Sequence, residues 1–205
     1  MKNNLKKRSY LLILVCIGGL ELMTYCSSQP KQQEETPTKE QQIERGRYLV
    51  TAGSCNDCHS PKIFTEQGPI VDSTKLLSGH PAGSKLPPID PKSTSPADWI
   101  HMSQDATAFI GPWGLSYAAN LTPDETTGLG AWTEEVFIKT LRTGKHLGLD
   151  TGRPIMPPMP WFFIGKLNDE DLKAVFAYLK SIPAVNNQVP APVAPPEVAK
   201  MVTSN

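Results

Sequence analysis

Three residues could do the chemistry of this chain: Cys55, Cys58 and His59, in the run Cys55-Asn56-Asp57-Cys58-His59. Two thiols on one tight turn can each add to a vinyl group of a single porphyrin. The adjacent imidazole then falls beneath the ring and supplies a nitrogen to iron, so C-x-x-C-H is a haem-attachment pattern. A thioredoxin-like reading needs a strand before the first cysteine. Here residues 43–52 precede it, with Ile43, Arg47 and Val50 spaced for a helix and Gly53 as a stop. Zinc needs a second pair of ligands, and the folded part has no further cysteine. The remaining two, Cys16 and Cys26, lie in or at the end of an N-terminal apolar run.

A haem that shuttles electrons commonly carries methionine opposite histidine, because the soft thioether favours reduced iron. Met156-Pro157-Pro158-Met159-Pro160-Trp161 holds two candidates, each followed by a proline that stiffens the loop. Spacing alone leaves both open. His80, His101 and His146 are weaker candidates, since a lone loop histidine is more often solvated or hydrogen-bonded.

These residues must be held by helices. Asn168 caps a segment that opens with Asp169, Glu170 and Asp171, presents Leu172, Val175, Phe176 and Leu179 on one face, and stops before Pro183. Gly46, Tyr48 and Tyr178 suit a contact between this helix and the one before the cysteines, since a small residue facing an aromatic permits close approach. Residues 61–119 form a long irregular insertion on this reading, broken by Pro87, Pro88, Pro91 and Pro96. Trp99, Phe109 and Trp113 suggest that part of it packs over the porphyrin edge and limits solvent. Trp132, Asn120 and Arg142 could donate to haem propionates. Trp132 reads equally well as core, with a surface helix over 133–141.

With Asn120-Leu121-Thr122-Pro123-Asp124, Gly128-Leu129-Gly130-Ala131-Trp132, Leu141-Arg142-Thr143-Gly144, Met159-Pro160-Trp161 and Tyr178-Leu179-Lys180-Ser181-Ile182-Pro183, the chain resembles a class I-like c-type cytochrome. More closely, it is similar to one haem domain of the cytochrome c subunits of membrane alcohol and sugar dehydrogenases. The resemblance implies an all-α cytochrome c fold with crossing first and last helices over residues 43–190. It also implies one covalent haem c at Cys55, Cys58 and His59, with Met159 as sixth ligand and Met156 as runner-up. Those subunits carry three such domains, whereas this chain has one C-x-x-C-H.

The implied function is transfer of single electrons, as a shuttle or as the electron acceptor of a dehydrogenase, with an oxidase or another cytochrome as further partners. No side chain would perform bond chemistry. The alternative is a haem enzyme or small-ligand sensor with an open sixth site.

The whole chain agrees with an exported carrier. Among 205 residues Lys plus Arg equals Asp plus Glu, at 20 each, so no field favours nucleic acid. Lys2, Lys6, Lys7 and Arg8 precede an apolar run from Tyr10 that Glu21 interrupts early, a signal-peptide pattern over 1–25. Cys26 stands where a bacterial lipoprotein signal ends, and residues 26–42 read as a polar tether from a membrane. An ordinary secreted protein and an uncleaved anchor are the other readings. The Pro- and Ala-rich residues 191–205 read as a tail that wraps loosely or trails free.

Overall fold

The computed structural model describes residues 36–89 and 100–203. The expected signal peptide, Cys26 and Trp99 lie outside them, as does most of the tether. The described residues from 37 onward belong to one compact unit.

Helix α1 (Lys39–Ala52) begins inside the stretch expected to be tether, because Thr38 and Gln41 form a reciprocal capping box there. It runs to Gly53, which closes its C-terminus. The five-residue helix α2 (Cys55–His59) follows at once. Near the other end lie α3 (Glu134–Thr143), the short α4 (Trp161–Ile164), α5 (Asp169–Ser181) and α6 (Pro195–Thr203). Thr133 caps α3 and Asn168 caps α5, each accepting from a backbone N–H three residues on.

α1 packs on α5, and Gly46 makes this possible. A Cβ there would stand 1.9 Å from the Ala174 carbonyl oxygen and 2.8 Å from Tyr178 Cβ. Tyr48 takes no part, being 62% exposed with the Arg45 guanidinium over its ring. Val50, Leu77, Leu129, Phe137, Leu141, Leu172, Val175, Phe176 and Leu179 form the main core. α3 is a surface helix with one buried face, which carries Phe137, Thr140 and Leu141, while Glu135, Lys139 and Arg142 stay exposed.

The expectation of an all-α fold is overturned. The insertion builds two antiparallel sheets, so the architecture mixes helix and strand. β1 (Lys62–Thr65) pairs with β2 (Gly68–Val71) as a hairpin, and Ile63, Phe64 and Ile70 remain exposed on it. β3 (His101–Met102), β4 (Ala108–Gly111) and β5 (Gly114–Tyr117) form the second sheet. No strand among the described residues exceeds four residues. Two-residue periodicity needs a longer run to show, and the prolines at 87–96 masked what flanks them. Sheet formation here follows from pairing, as Phe109 meets Ser116 and Ile110 meets Leu115.

The tail is also docked rather than loose. Val193 exchanges both backbone hydrogen bonds with Leu115, at 2.8 and 2.9 Å. Val198 of α6 is fully buried against Ile110 and Leu115 in a second small core.

Candidate haem site

Gly53 ends α1, and Ser54 turns the chain through a left-handed conformation (φ 54°) into α2. That turn brings Cys55 and Cys58 onto one short helix, half-buried and not joined in a disulfide. Burial pushes both thiols above the ordinary cysteine value, Cys55 with a contribution from Cys58 and Cys58 against the pull of Lys62. A dithiol redox pair has the opposite polarisation, with a thiolate stabilised near neutrality. No group of three metal-ligating side chains exists among the described residues, so zinc finds no cage.

His59 is buried, and its Nδ1 lies 2.8 Å from the Ala119 carbonyl oxygen. A carbonyl can only accept, so Nδ1 carries the proton and Nε2 keeps its lone pair. Burial holds the ring neutral by depressing its pKa. Nε2 has no hydrogen-bond partner among the described residues, and every sealed side-chain nitrogen or oxygen among them has one. Nε2 is therefore not sealed and keeps its lone pair as a base. Cys55 packs against the same core as the partly buried Leu76, Leu121, Trp132 and Trp161, giving the motif an apolar surround. Two un-ionised thiols, one oriented free imidazole nitrogen and an apolar surround fit a covalently attached haem.

The turn carrying the motif is braced. Ser60 Oγ donates to Asn56 Oδ1 at 2.8 Å and accepts from the Leu77 N–H at 2.8 Å. The Lys62 ammonium donates to the carbonyls of Asn56 (3.2 Å), Ser60 (2.7 Å) and Asp57. Nothing in the motif itself announces Lys62, three residues beyond it.

Met156 and Met159 are both half-buried in one loop. The loop is tied to α3 by the Ile155 N–H, which donates to the Gly144 carbonyl at 2.8 Å. Gly144, in the left-handed region at φ 66°, lies so close to Trp161 that a Cβ would stand 2.4 Å from the indole. Ser116 reaches the loop from β5, donating to the Pro157 carbonyl at 2.6 Å.

The other candidates have partners within the chain. Asn120 is buried; its amide donates to the Val185 carbonyl (2.8 Å) and Thr127 Oγ1 (3.1 Å), and its oxygen accepts from Thr122. Arg142 pairs with Asp169 at 2.6 Å and donates to the Gly165 carbonyl. Trp132 packs on the core with its ring edge-on to His146, centroids 5.7 Å apart. His80 is buried between Thr107 Oγ1 (2.7 Å) and Ser84 Oγ (2.8 Å). His101 is exposed on β3. Phe109 is buried, and Trp113 donates to Ser116.

The motif and the geometry around it thus fit a protein of the class that carries a covalently attached haem. A family model for cytochrome c matches residues 43–183, and the chain belongs to the cytochrome c family. The gluconate 2-dehydrogenase cytochrome c subunit of Pantoea cypripedii is 31% identical over 136 residues, covering 66% of this chain and 22% of that protein. The fructose dehydrogenase cytochrome subunit of Gluconobacter japonicus is 27% identical over 175 residues, covering 82% and 28%. The cytochrome c subunit of the quinone-dependent alcohol dehydrogenase of Gluconacetobacter polyoxogenes is 30% identical over 165 residues, covering 78% and 28%. The chain spans less than a third of the length of these relatives. Membership implies covalently bound haem c and a role in electron transfer, and the sequence holds a single C-x-x-C-H.

Proposed function

We propose that this protein is a mono-haem electron carrier that accepts single electrons from a dehydrogenase, or shuttles them to an oxidase or another cytochrome, outside the cytoplasm. The observation that carries the reading is His59, whose Nε2 is left free and oriented by the bond from Nδ1 to Ala119. When bound, the haem iron supplies the ferric/ferrous couple. Cys55 and Cys58 would anchor the ring, and His59 and Met159, with Met156 as the alternative to the latter, would supply the nitrogen and sulfur that hold the iron. The chain's own contribution is to orient His59, exclude water through the core around Cys55, and set the potential.

No described helix is long and apolar enough to cross a membrane. Membrane attachment in this proposal comes from a lipid on Cys26 after export, with residues 27–38 as the tether. The names of the relatives support a dehydrogenase as donor, each being a cytochrome subunit of one.

The test is the spectrum of the purified ferric holoprotein. A weak long-wavelength sulfur-to-iron band, present in Met156→Ala and abolished in Met159→Ala, is expected. A high-spin spectrum that shifts on adding small ligands would replace the carrier by a sensor or enzyme with an open sixth site.

A further inference from the structure

The insertion that sequence patterns leave unexplained touches both sides of the site through β5 and the two residues that follow it. Ser116, on β5 and 4% exposed, donates its hydroxyl proton to the Pro157 carbonyl at 2.6 Å. Three residues on, Ala119 accepts the proton of His59 Nδ1 at 2.8 Å. An extended chain advances about 3.3 Å per residue, so the two contacts lie within about 10 Å along one backbone.

The direction of the Ser116 bond is forced. Trp113 Nε1, which can only donate, lies 3.1 Å from Ser116 Oγ, so the hydroxyl accepts there and must send its own proton elsewhere. The Phe109 carbonyl, at 3.5 Å, is the poorer acceptor of the two within reach. Among the described residues, Ser116 is the one side chain hydrogen-bonded to a carbonyl between residues 156 and 160. The strand itself is held rigid on both flanks. Phe109 pairs with Ser116, the Ala118 N–H donates to the Thr107 carbonyl, and the Ala118 carbonyl accepts from the His80 N–H.

We propose that Ser116, oriented by Trp113, is a positioning residue for the methionine ligand, and that the segment from Ser116 to Ala119, the end of β5 and the two residues after it, sets that loop against His59. The helical frame holds the loop only at its two ends, through the Ile155 N–H on the Gly144 carbonyl and the Trp161 N–H of α4 on the Met159 carbonyl, and Ser116 adds a side-chain bond between them. The inference rests on the reading that one of these methionines binds iron.

The experiment follows displacement of the sixth ligand by imidazole in the ferric holoprotein, read as decay of the sulfur-to-iron band. Ser116→Ala should exchange about fivefold faster than wild type, the factor that one neutral hydrogen bond commands. Trp113→Phe, which keeps an aromatic side chain but removes the pyrrole ring with its N–H, should give an intermediate rate, and it serves if Ser116→Ala does not fold. Exchange at the wild-type rate in the folded variants would overturn the proposal while leaving methionine ligation intact. A wild-type spectrum unchanged by both Met159→Ala and Met156→Ala would instead remove the ligand reading, and this inference with it.

Discussion

Substituting Gly46 by alanine tests whether the α1–α5 contact is as close as the geometry requires. The added methyl would stand 1.9 Å from the Ala174 carbonyl oxygen, and ordinary contact begins near 3.4 Å. The two backbones must therefore part by about 1.5 Å, in an interior packed too tightly to absorb it locally. No side chain can swing away, because the obstacle is main chain. Separation would loosen Val50 against Leu172, Val175 and Leu179 in the main core. Overpacking of this kind costs roughly 1–3 kcal/mol, with backbone obstacles at the upper end, and only about 0.5–1 kcal/mol returns from the better helix propensity of alanine. A net loss of about 2 kcal/mol lowers Tm by roughly 4–8 °C in a chain of this size. The assay is thermal unfolding of the ferric holoprotein followed by far-UV circular dichroism. Tyr48→Ala is the control, because Tyr48 is 62% exposed and should stay within about 0.5 kcal/mol of wild type. A Gly46→Ala protein melting within about 1 °C of wild type, or a Tyr48→Ala protein equally destabilised, would refute the reasoning.

Other outcomes follow from the same structure. Asn120→Ala strands the Thr122 N–H and leaves the Val185 carbonyl only the longer bond from Thr122 Oγ1 at 3.3 Å, and should cost about 2 kcal/mol in denaturant unfolding. Its midpoint potential should hold, and a potential shift without a stability loss would return Asn120 to the propionates. Lys62→Gln keeps a donor at the α2 carbonyls and removes the charge, so the ferric form gains. The midpoint should fall by about 20–40 mV, as for a unit charge roughly 10 Å away at an effective dielectric of 40–80, while Lys62→Arg should hold it. Burial depresses the His80 pKa against the attraction of Asp105, and Thr107, Ser84 and Tyr117 complete its surroundings. The unfolded chain then binds more protons than the native one in acid, so stability is full above about pH 6.5 and declines as pH falls below it. His146, partly buried beside Arg153, adds to the same slope. His80→Gln should flatten the fall of Tm between about pH 6.5 and 5, and an unchanged slope would count against a neutral buried ring.

Local chemistry was legible from the residues alone. The haem motif is five consecutive positions, and Asn168 with its three following acids marks the start of α5 because a cap and a helix dipole act within one turn. Gly46 was readable as a close-contact residue, whereas Tyr48 was not readable as exposed, since helical spacing does not say which neighbour a ring will meet. Asn120 and Arg142 looked like free donors because their partners at 185, 165 and 169 are distant in sequence. The insertion was the largest loss: strands of four residues carry too little periodicity, and their stability comes from cross-strand partners.

The sequence by itself determined how a porphyrin would be attached, because thiol, thiol and imidazole are neighbours along the chain. Only the tertiary structure decided how that site is held. The Ala119 carbonyl that orients His59 is 60 positions away, the Ser116 hydroxyl on Pro157 is 41 positions away, and Val193 and Val198 return from the far end to close the sheet that carries both. Such bonds are made between groups that no local pattern pairs, and they exist only once the main core has brought them within reach.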